Sequence, residues 1–274
     1  MKLKTPLHEI NLLSSLKNPR VKEVVRLRKR SERDKSQLML IEGRRELEEA
    51  LKNGVKLKTL YVCKSLFNGR GQKDILSSAR QQGVEIIFVN EPVACKMAYR
   101  DKPEGLLAVA MQPVKRLEDI SLGRSPLIVI LEGIEKPGNL GAVLRVADGA
   151  GVKGILLCDC ATDIYNPNTI RASLGTFFSM PFTQVSSSEA LRWCKQNGLY
   201  TVAAAPGADI AYTQADFSGP CAVVIGSEDR GLSRFWLDKA DIKVSIPMQG
   251  RADSLNAAVS TAVLLYEAVR QRKA

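Results

Sequence analysis

The second half of the chain alternates short apolar runs with longer amphipathic stretches. The runs at 127–131, 155–157, 200–205, 222–225 and 242–246 contain almost no polar residue. Strands that are apolar on both faces are typical of parallel sheets covered by helices on both sides. The stretch 254–270 repeats apolar residues at three- and four-residue steps, so it predicts a helix, with Ser254 as its N-cap. This half is predicted to be one α/β domain with a largely parallel sheet.

The first half predicts a smaller α/β unit. Four apolar runs, at 38–41, 57–62, 84–89 and 106–110, are separated by helix-like stretches that begin near Arg44, Asp74 and Glu91. Before them, the stretch 18–30 predicts one amphipathic helix with a valine face and basic residues on its other faces. Residues 113–126 show no strong periodicity. The predicted organisation is therefore a first domain over 1–112, a linker over 113–126 and a second domain over 127–274.

Positive charge is concentrated in the first half. The chain carries a net charge of +11, of which residues 1–120 hold +10. A basic module of this kind suits a polyanion, so Lys22, Arg26, Lys29 and Arg30 are predicted to contact RNA. A solvated basic face without a ligand is the alternative interpretation.

Composition argues against other classes of protein. No apolar run approaches the roughly 20 residues of a membrane span, and residues 1–5 lack the long apolar stretch of a secretory signal, so we expect a cytoplasmic protein. The six cysteines form no Cys-x-x-Cys pair and His8 is the only histidine, so no metal site is predicted. We expect the cysteines to be reduced, and mostly buried as small hydrophobic residues.

Glycine-bearing turns follow three of the predicted strands, where ligands bind in open α/β sheets. The first turn contains Asn139 and leads into a helix that carries Arg145 between apolar neighbours, a position that predicts a partner for its charge. Its glycines are spaced Gly-x-x-Gly, which does not fit a dinucleotide-binding loop.

The second turn holds Gly226 and Glu228, and the third leads through Pro247 and Gly250 to Ser254 and Asn256. Gly226 would allow backbone to approach a ligand closely. Glu228 could serve the site, or it could only cap the following helix.

Together these segments read Asn-x-Gly-x-x-x-Arg, Ile-Gly-x-Glu-x-x-Gly and Ile-Pro-Met-x-Gly-x-x-x-Ser-Leu-Asn, in that order. They resemble the three signature motifs of the SpoU (TrmH) family of RNA ribose 2′-O-methyltransferases, and the resemblance covers about residues 127–271. The first half resembles, less closely, the ribosomal-protein-like RNA-binding module that often precedes the family's catalytic domain. Lys136 is a departure, because many members carry an acid there.

The resemblance implies an α/β methyltransferase domain tied in a trefoil knot, and S-adenosylmethionine as cofactor. Backbone groups at Ala205, Gly226, Ile246 and Leu255 would hold the cofactor. Arg145 would serve the ribose 2′-hydroxyl, either as general base or, because arginine is effectively never neutral in proteins, by positioning and polarising the hydroxyl.

The remaining roles also follow from the resemblance. Asn139 would orient Arg145 or the ribose, Glu228 would hold the loops, and Ser254 with Asn256 would line the ribose and the cofactor. Arg171 would reach RNA phosphate or a partner subunit. The last helix would form the interface of a homodimer. The alternative is that its apolar face packs only against the core of its own chain. Large-subunit ribosomal RNA is the predicted substrate; transfer RNA and a noncatalytic RNA-binding role are the alternatives.

Overall fold

Two separate sheets organise the chain in the computed structural model, which describes residues 12–67 and 71–273. The first unit comprises the described residues up to Pro113 together with Tyr165–Arg171, and the second comprises Val114–Ile164 and the described residues from Ala172 onward. The boundary follows Pro113, where the sequence predicts that the linker begins. His8 lies outside the described residues.

The first unit contains a four-stranded mixed sheet, in which β1 and β2 flank β4 antiparallel and β3 pairs parallel with β2. The four predicted strands and the helices predicted near Arg44, Asp74 and Glu91 are present. The elements are α1 (Pro19–Arg26), α2 (Arg30–Ser36), β1 (Leu38–Glu42), α3 (Arg44–Lys52), β2 (Leu57–Val62), α4 (Gly71–Gln81), β3 (Glu85–Phe88), α5 (Glu91–Met97) and β4 (Leu106–Met111).

The basic stretch at 18–30 is not the single helix that the sequence predicts. Val21 and Val24 are buried as expected, but α1 ends at Arg26 and α2 begins at Arg30. In the turn between them, the Arg28 guanidinium donates hydrogen bonds to the carbonyls of Lys96, at 2.8 Å, and of Ala98, at the end of α5. Arg28 therefore has a structural role, while Lys22, Arg26, Lys29 and Arg30 are exposed.

The second unit contains a seven-stranded sheet in the order β7-β6-β5-β10-β8-β11-β9, and every pair in it is parallel. The predicted parallel sheet is confirmed. The remaining elements along the chain are β5 (Leu127–Glu132), α6 (Pro137–Gly149), β6 (Gly154–Cys158), α7 (Pro167–Ala172), α8 (Thr176–Ser179), β7 (Phe182–Val185), α9 (Ser187–Gln196), β8 (Tyr200–Ala204), β9 (Ile210–Ala211), β10 (Cys221–Ile225), α10 (Arg234–Lys239), β11 (Ile242–Ser245) and α11 (Ala257–Lys273). Of these, α7 up to Arg171 belongs to the first unit.

Strand order brings the ends of this unit together. β10 lies between β5 and β8, and α11 returns to pack against α6. The knot that the resemblance implies stays a prediction. The sequence does not predict β7, which mixes polar and apolar residues, or β9, which has only two.

The segment predicted as a linker is anchored on the second unit. Ile120 is buried against Gly154, where an added Cβ would lie 2.8 Å from the isoleucine side chain. The Lys115 ammonium donates hydrogen bonds to the carbonyls of Phe177, at 3.0 Å, and Met180, at 2.8 Å. From Val114 onward this segment is therefore part of the packed unit.

All six cysteines are free, as predicted, and four are buried. Burial raises the pKa of the Cys158 and Cys194 thiols to about 12, so these side chains stay neutral. No helix within residues 12–67 and 71–273 is long and apolar enough to cross a membrane.

Candidate active site

A cleft of about 670 Å³ opens at the carboxyl edge of the seven-stranded sheet. Its walls come from the segments after β8, β10 and β11 and from the start of α11. Ala205, Gly226, Ile246 and Leu255, the residues predicted for the cofactor, all line it. Volumes of about 300–1,000 Å³ are typical of small-molecule sites, so the cleft can accept a molecule of nucleoside size.

The turn after β10 is shaped by its own backbone. Ser227 and Gly231 exchange two backbone hydrogen bonds, at 3.0 and 3.1 Å, which fold the turn back on itself. A Cβ at Gly226 would lie 2.2 Å from the carbonyl carbon of Gly231, and Gly231 has a φ of +66°. The sequence predicts that glycine is needed at 226 so that a ligand can approach the backbone. In this structure glycine is needed there because the backbone of Gly231, in the same turn, lies too close for a side chain.

Side chains from all three motifs meet at Glu228. Its Oε1 accepts hydrogen bonds from Asn139 Nδ2, at 2.8 Å, and from Asn256 Nδ2, while Oε2 accepts one from Lys136 Nζ at 2.5 Å. Asn256 Nδ2 also lies 3.2 Å from Asn139 Oδ1. The three predicted site residues Asn139, Glu228 and Asn256 thus form one cluster that joins the first turn of α6, the turn after β10 and the start of α11.

The charges of this cluster stabilise one another. The hydrogen bond from Lys136 holds the pKa of the Glu228 carboxyl below its usual value, and hydrogen bonds from Asn139 and from the Ala257 backbone N–H act in the same direction. Glu228 in turn raises the pKa of Lys136. At neutral pH the cluster therefore contains a carboxylate and an ammonium.

Asn256, not Ser254, caps the last helix. The Asn256 side chain accepts a hydrogen bond from the Ala258 N–H at 3.0 Å, and α11 begins at Ala257. The predicted cap at Ser254 is wrong because residues 254–256 are not yet part of the helix. Ser254 is exposed and lines the cleft. Glu228 accepts from the start of this last helix, not from α10, which directly follows its turn.

Arg145 is exposed on α6, although the sequence predicts a protein partner for its charge. Leu144 and Ala147 are the residues that face the core. Within the described residues, Arg145 makes no hydrogen bond or ion pair, and the structure does not bring it into the Glu228 cluster. Its guanidinium is therefore available to a ligand.

Arg171 is also exposed, and its guanidinium donates a hydrogen bond to Asn168 Oδ1 at 2.7 Å. In the first unit, Arg30 lies 3.5 Å from the carboxylate of Asp34, whereas Lys22, Arg26 and Lys29 form no ion pair with any described residue. Within the basic stretch 18–30, these three are the predicted RNA contacts that no described acid neutralises.

Sequence reasoning marked Lys136 only as a departure from the family pattern and missed its contact with Glu228. Lysine directly before Pro137 and Asn139 places a cation at the start of α6, but its partner is 92 residues away. No pattern along the chain connects them. Among the described residues no group of three or more His, Cys, Asp or Glu could hold a metal ion.

Comparison with known proteins gives two family matches. Residues 126–266 match the SpoU rRNA methylase family, and residues 18–108 match the MRM3-like substrate-binding domain. The chain is 31% identical over 250 residues to a 23S rRNA (uridine(2479)-2′-O)-methyltransferase of Streptomyces viridochromogenes, covering 89% of this chain and 86% of that protein.

Two crystal structures extend the likeness across both units. An RNA 2′-O ribose methyltransferase is 42% identical with a TM-score of 0.86, covering 96% of this chain and 99% of that one. An AdoMet-bound rRNA methyltransferase from Sinorhizobium meliloti is 32% identical with a TM-score of 0.85, covering 94% and 97%. The family predicted from three short motifs is confirmed: the chain belongs to the SpoU rRNA methylase family.

Proposed function

We propose that this protein transfers a methyl group from S-adenosylmethionine to a ribose 2′-hydroxyl in large-subunit ribosomal RNA. The observation that carries the proposal is the Asn139–Glu228–Asn256 cluster beside a cleft lined by Ala205, Gly226, Ile246 and Leu255. Relatives named as 23S rRNA 2′-O-methyltransferases and the AdoMet-bound neighbour support the same reaction.

The cleft suits the proposed cofactor. Ile225, Leu232 and Leu237 give it an apolar wall, and backbone of the turns around Gly226 and Ile246 lies beside that wall. An adenine ring and a short polar chain would find both kinds of partner there. S-adenosylmethionine would supply an activated methyl group, and no metal is needed for that transfer.

What the chain must supply is alignment and help in removing the hydroxyl proton. We propose that Arg145 positions and polarises the ribose 2′-hydroxyl. Its exposed guanidinium carries a permanent charge and can also bind an RNA phosphate. The Glu228 cluster fixes the start of α6 relative to the start of α11, so it would set where Arg145 stands. Ser254, exposed in the cleft wall, would contact the ribose.

The first unit is proposed to bind the RNA. Lys22, Arg26 and Lys29 lie exposed on and beside α1, and Arg171 would add a phosphate contact. The family match of residues 18–108 to a substrate-binding domain supports this assignment. Because the substrate is ribosomal RNA, we place the enzyme in the cytoplasm.

A second copy of this chain is proposed to cover α11. Val259 is 47% exposed and Tyr266 is 53% exposed, with the partly buried Val263 between them on the same helix face. This face lies beside α6, where the Tyr266 hydroxyl would be 3.1 Å from a Cβ at Gly149. An apolar stripe next to a catalytic helix is suited to a homodimer interface.

The reaction can be tested with ribosomal RNA from a strain that lacks this gene. Incubation with methyl-labelled S-adenosylmethionine should label the RNA, and the labelled linkage should resist alkali because its 2′-oxygen is blocked. Isothermal titration with S-adenosylmethionine should show binding. If the RNA takes up no label and the titration shows no heat, the protein is a noncatalytic relative. If only transfer RNA is labelled, the proposed substrate is wrong.

A further inference from the structure

Glu132, the last residue of β5, is a buried acid at the edge of the candidate site. It is 7% exposed, and three donor atoms lie within hydrogen-bond distance of its carboxylate. Ser233 donates twice, from its backbone N–H to Oε2 at 2.6 Å and from its hydroxyl to Oε1 at 2.7 Å. The Ser187 hydroxyl lies 3.1 Å from Oε1. Both carboxylate oxygens are therefore satisfied away from water.

The partners of Glu132 begin two helices. Ser233 is the N-cap of α10, yet its hydroxyl donates to Glu132 and does not cap that helix. Ser187 is the first residue of α9, and its oxygen accepts a hydrogen bond at 3.2 Å from the indole N–H of Trp236, which is fully buried. Glu132 thus joins the end of β5 to the starts of α9 and α10.

The start of α10 directly follows a segment that lines the cleft. The turn 226–232 lines the cleft, and Ser233 follows it directly. Near its beginning this turn is held by Glu228, which contacts Asn139 and Asn256. At its end it is held by Glu132. Across the turn, two backbone hydrogen bonds between Ser227 and Gly231 fold it back on itself.

We propose that Glu132 is a positioning residue that fixes the turn 226–232 for cofactor binding. The inference rests on the proposed function, because the cofactor is S-adenosylmethionine. Glutamine at 132 would accept from the Ser233 N–H through its oxygen, but it would replace the charged acceptor of the serine hydroxyls with a neutral N–H₂ donor, so the charge-assisted hydrogen bonds would be lost. The turn would then be held less firmly at its end while its Glu228 contacts remained.

Asp241 offers a matched control. Its carboxylate accepts hydrogen bonds from the Thr201 N–H, at 2.8 Å, and the Thr201 hydroxyl, at 2.6 Å. This pair of hydrogen bonds resembles the pair between Glu132 and Ser233. It lies, however, at the amino ends of β8 and β11, at the edge of the sheet opposite the cleft. Asp241→Asn should therefore disturb stability without disturbing the cleft wall.

The experiment compares full-length wild type with Glu132→Gln, Ser233→Ala and Asp241→Asn at a temperature well below every melting midpoint. Isothermal titration should show the Kd for S-adenosylmethionine raised at least tenfold in Glu132→Gln and about threefold in Ser233→Ala, which keeps the backbone donor. Asp241→Asn should stay within twofold of wild type. A double variant Glu132→Gln/Ser233→Ala should bind no worse than Glu132→Gln alone, because both changes remove the same contact.

Hydrogen exchange of the protein without cofactor provides a readout that does not depend on the proposed function. Backbone amides of the turn 226–232 should exchange faster in Glu132→Gln than in wild type, and at the wild-type rate in Asp241→Asn. Unchanged exchange in Glu132→Gln, or equal acceleration in both, would overturn the proposal. If Glu132→Gln does not fold, unchanged exchange and Kd in Ser233→Ala overturn it. A wild type that binds no S-adenosylmethionine refutes the proposed function alone, since exchange still tests Glu132.

Discussion

Asn139 Nδ2 lies 2.8 Å from Glu228 Oε1, although 89 residues separate them along the chain. The contact ties the first turn of α6 to the turn after β10, and Asn256 extends it to α11. A carboxylate that accepts from two amides and one ammonium is a strong cross-link, since hydrogen bonds to charged groups are about twice as strong as neutral ones.

Replacing Glu228 with Gln should therefore lower kcat by about 10- to 100-fold, because one of its two acceptor oxygens becomes an N–H₂ donor that faces either the two asparagine amides or the Lys136 ammonium. Initial rates of RNA methylation at saturating S-adenosylmethionine would measure the loss. Glu135→Gln is the control: this exposed acid lies one residue before Lys136 and makes no hydrogen bond or ion pair among the described residues. Equal rates in Glu228→Gln and wild type would contradict the role of the cluster.

Arg145→Ala should lower kcat by about 10²-fold or more, which is typical when a charge-stabilising donor is removed. Its melting temperature should not change, because the side chain is exposed and has no partner in the described structure. Arg145→Lys should recover part of the rate, since lysine keeps the charge but not the planar pair of donors.

Arg192→Ala, an exposed arginine on α9, should leave rate and stability unchanged. If Arg145→Ala kept full activity while binding S-adenosylmethionine normally, the chemistry assigned to Arg145 would have to be given up.

The sequence predicts the strands of this fold well because their signal is local. Runs such as 127–131 are apolar throughout, and burial on both faces of a parallel sheet leaves that mark. β9 leaves no such mark, because its two residues become a strand only by pairing with β11. The same limit applies to α11: both Ser254 and Asn256 are good caps, and the path of the preceding turn decides between them.

The site residues show the same contrast between what local sequence predicts and what depends on contacts between distant segments. Motif spacing identifies Asn139, Glu228 and Asn256, but their mutual contacts depend on how three distant strands are ordered. Arg145 shows a different error: its apolar neighbours suggest burial, yet a helix buries only one side, and the packing of α6 leaves Arg145 on the other. Lys136 and Glu132 escape notice because their partners, Glu228 and Ser233, are remote in sequence.

Removing two charges from the first unit, as Arg26→Gln/Lys29→Gln, should weaken RNA binding and reduce its salt dependence. Each lost phosphate contact lowers the slope of log K against log salt by about 0.7–0.9. Filter binding of ribosomal RNA fragments at four salt concentrations would give the slope. Lys73→Gln/Arg80→Gln, which removes two exposed charges from α4 of the same unit, should retain the wild-type slope. Equal loss in both double variants would mean that no particular face binds RNA.

Val259→Asp should convert a homodimer into monomers, because it places a charge in the proposed apolar interface on α11. Light scattering after size-exclusion chromatography would give the mass. Val114→Asp makes the same change at a residue that is 77% exposed in the same unit, and it should leave the dimer intact. A wild-type protein that is monomeric at micromolar concentration would rule out this interface.

Lys115 should make stability depend on pH in an unusual direction. Burial lowers the pKa of its ammonium from 10.5 to about 8, while Asp119 opposes the shift. Between about pH 8 and 10.5 the unfolded chain then binds more protons at Lys115 than the folded chain does. This group therefore raises the free energy of unfolding as pH rises, by up to the order of 3 kcal/mol.

Comparison with Lys115→Met isolates this contribution, because methionine has a similar length and no proton. Urea unfolding at pH 7, 8, 9 and 10 should show wild type gaining stability relative to Lys115→Met above pH 8. Lys153→Met, at an exposed lysine of the same unit, should differ from wild type by a constant amount. A difference between wild type and Lys115→Met that stayed flat from pH 7 to 10 would show that the ammonium remains hydrated, and that the segment from Val114 is not anchored as the hydrogen bonds to Phe177 and Met180 indicate.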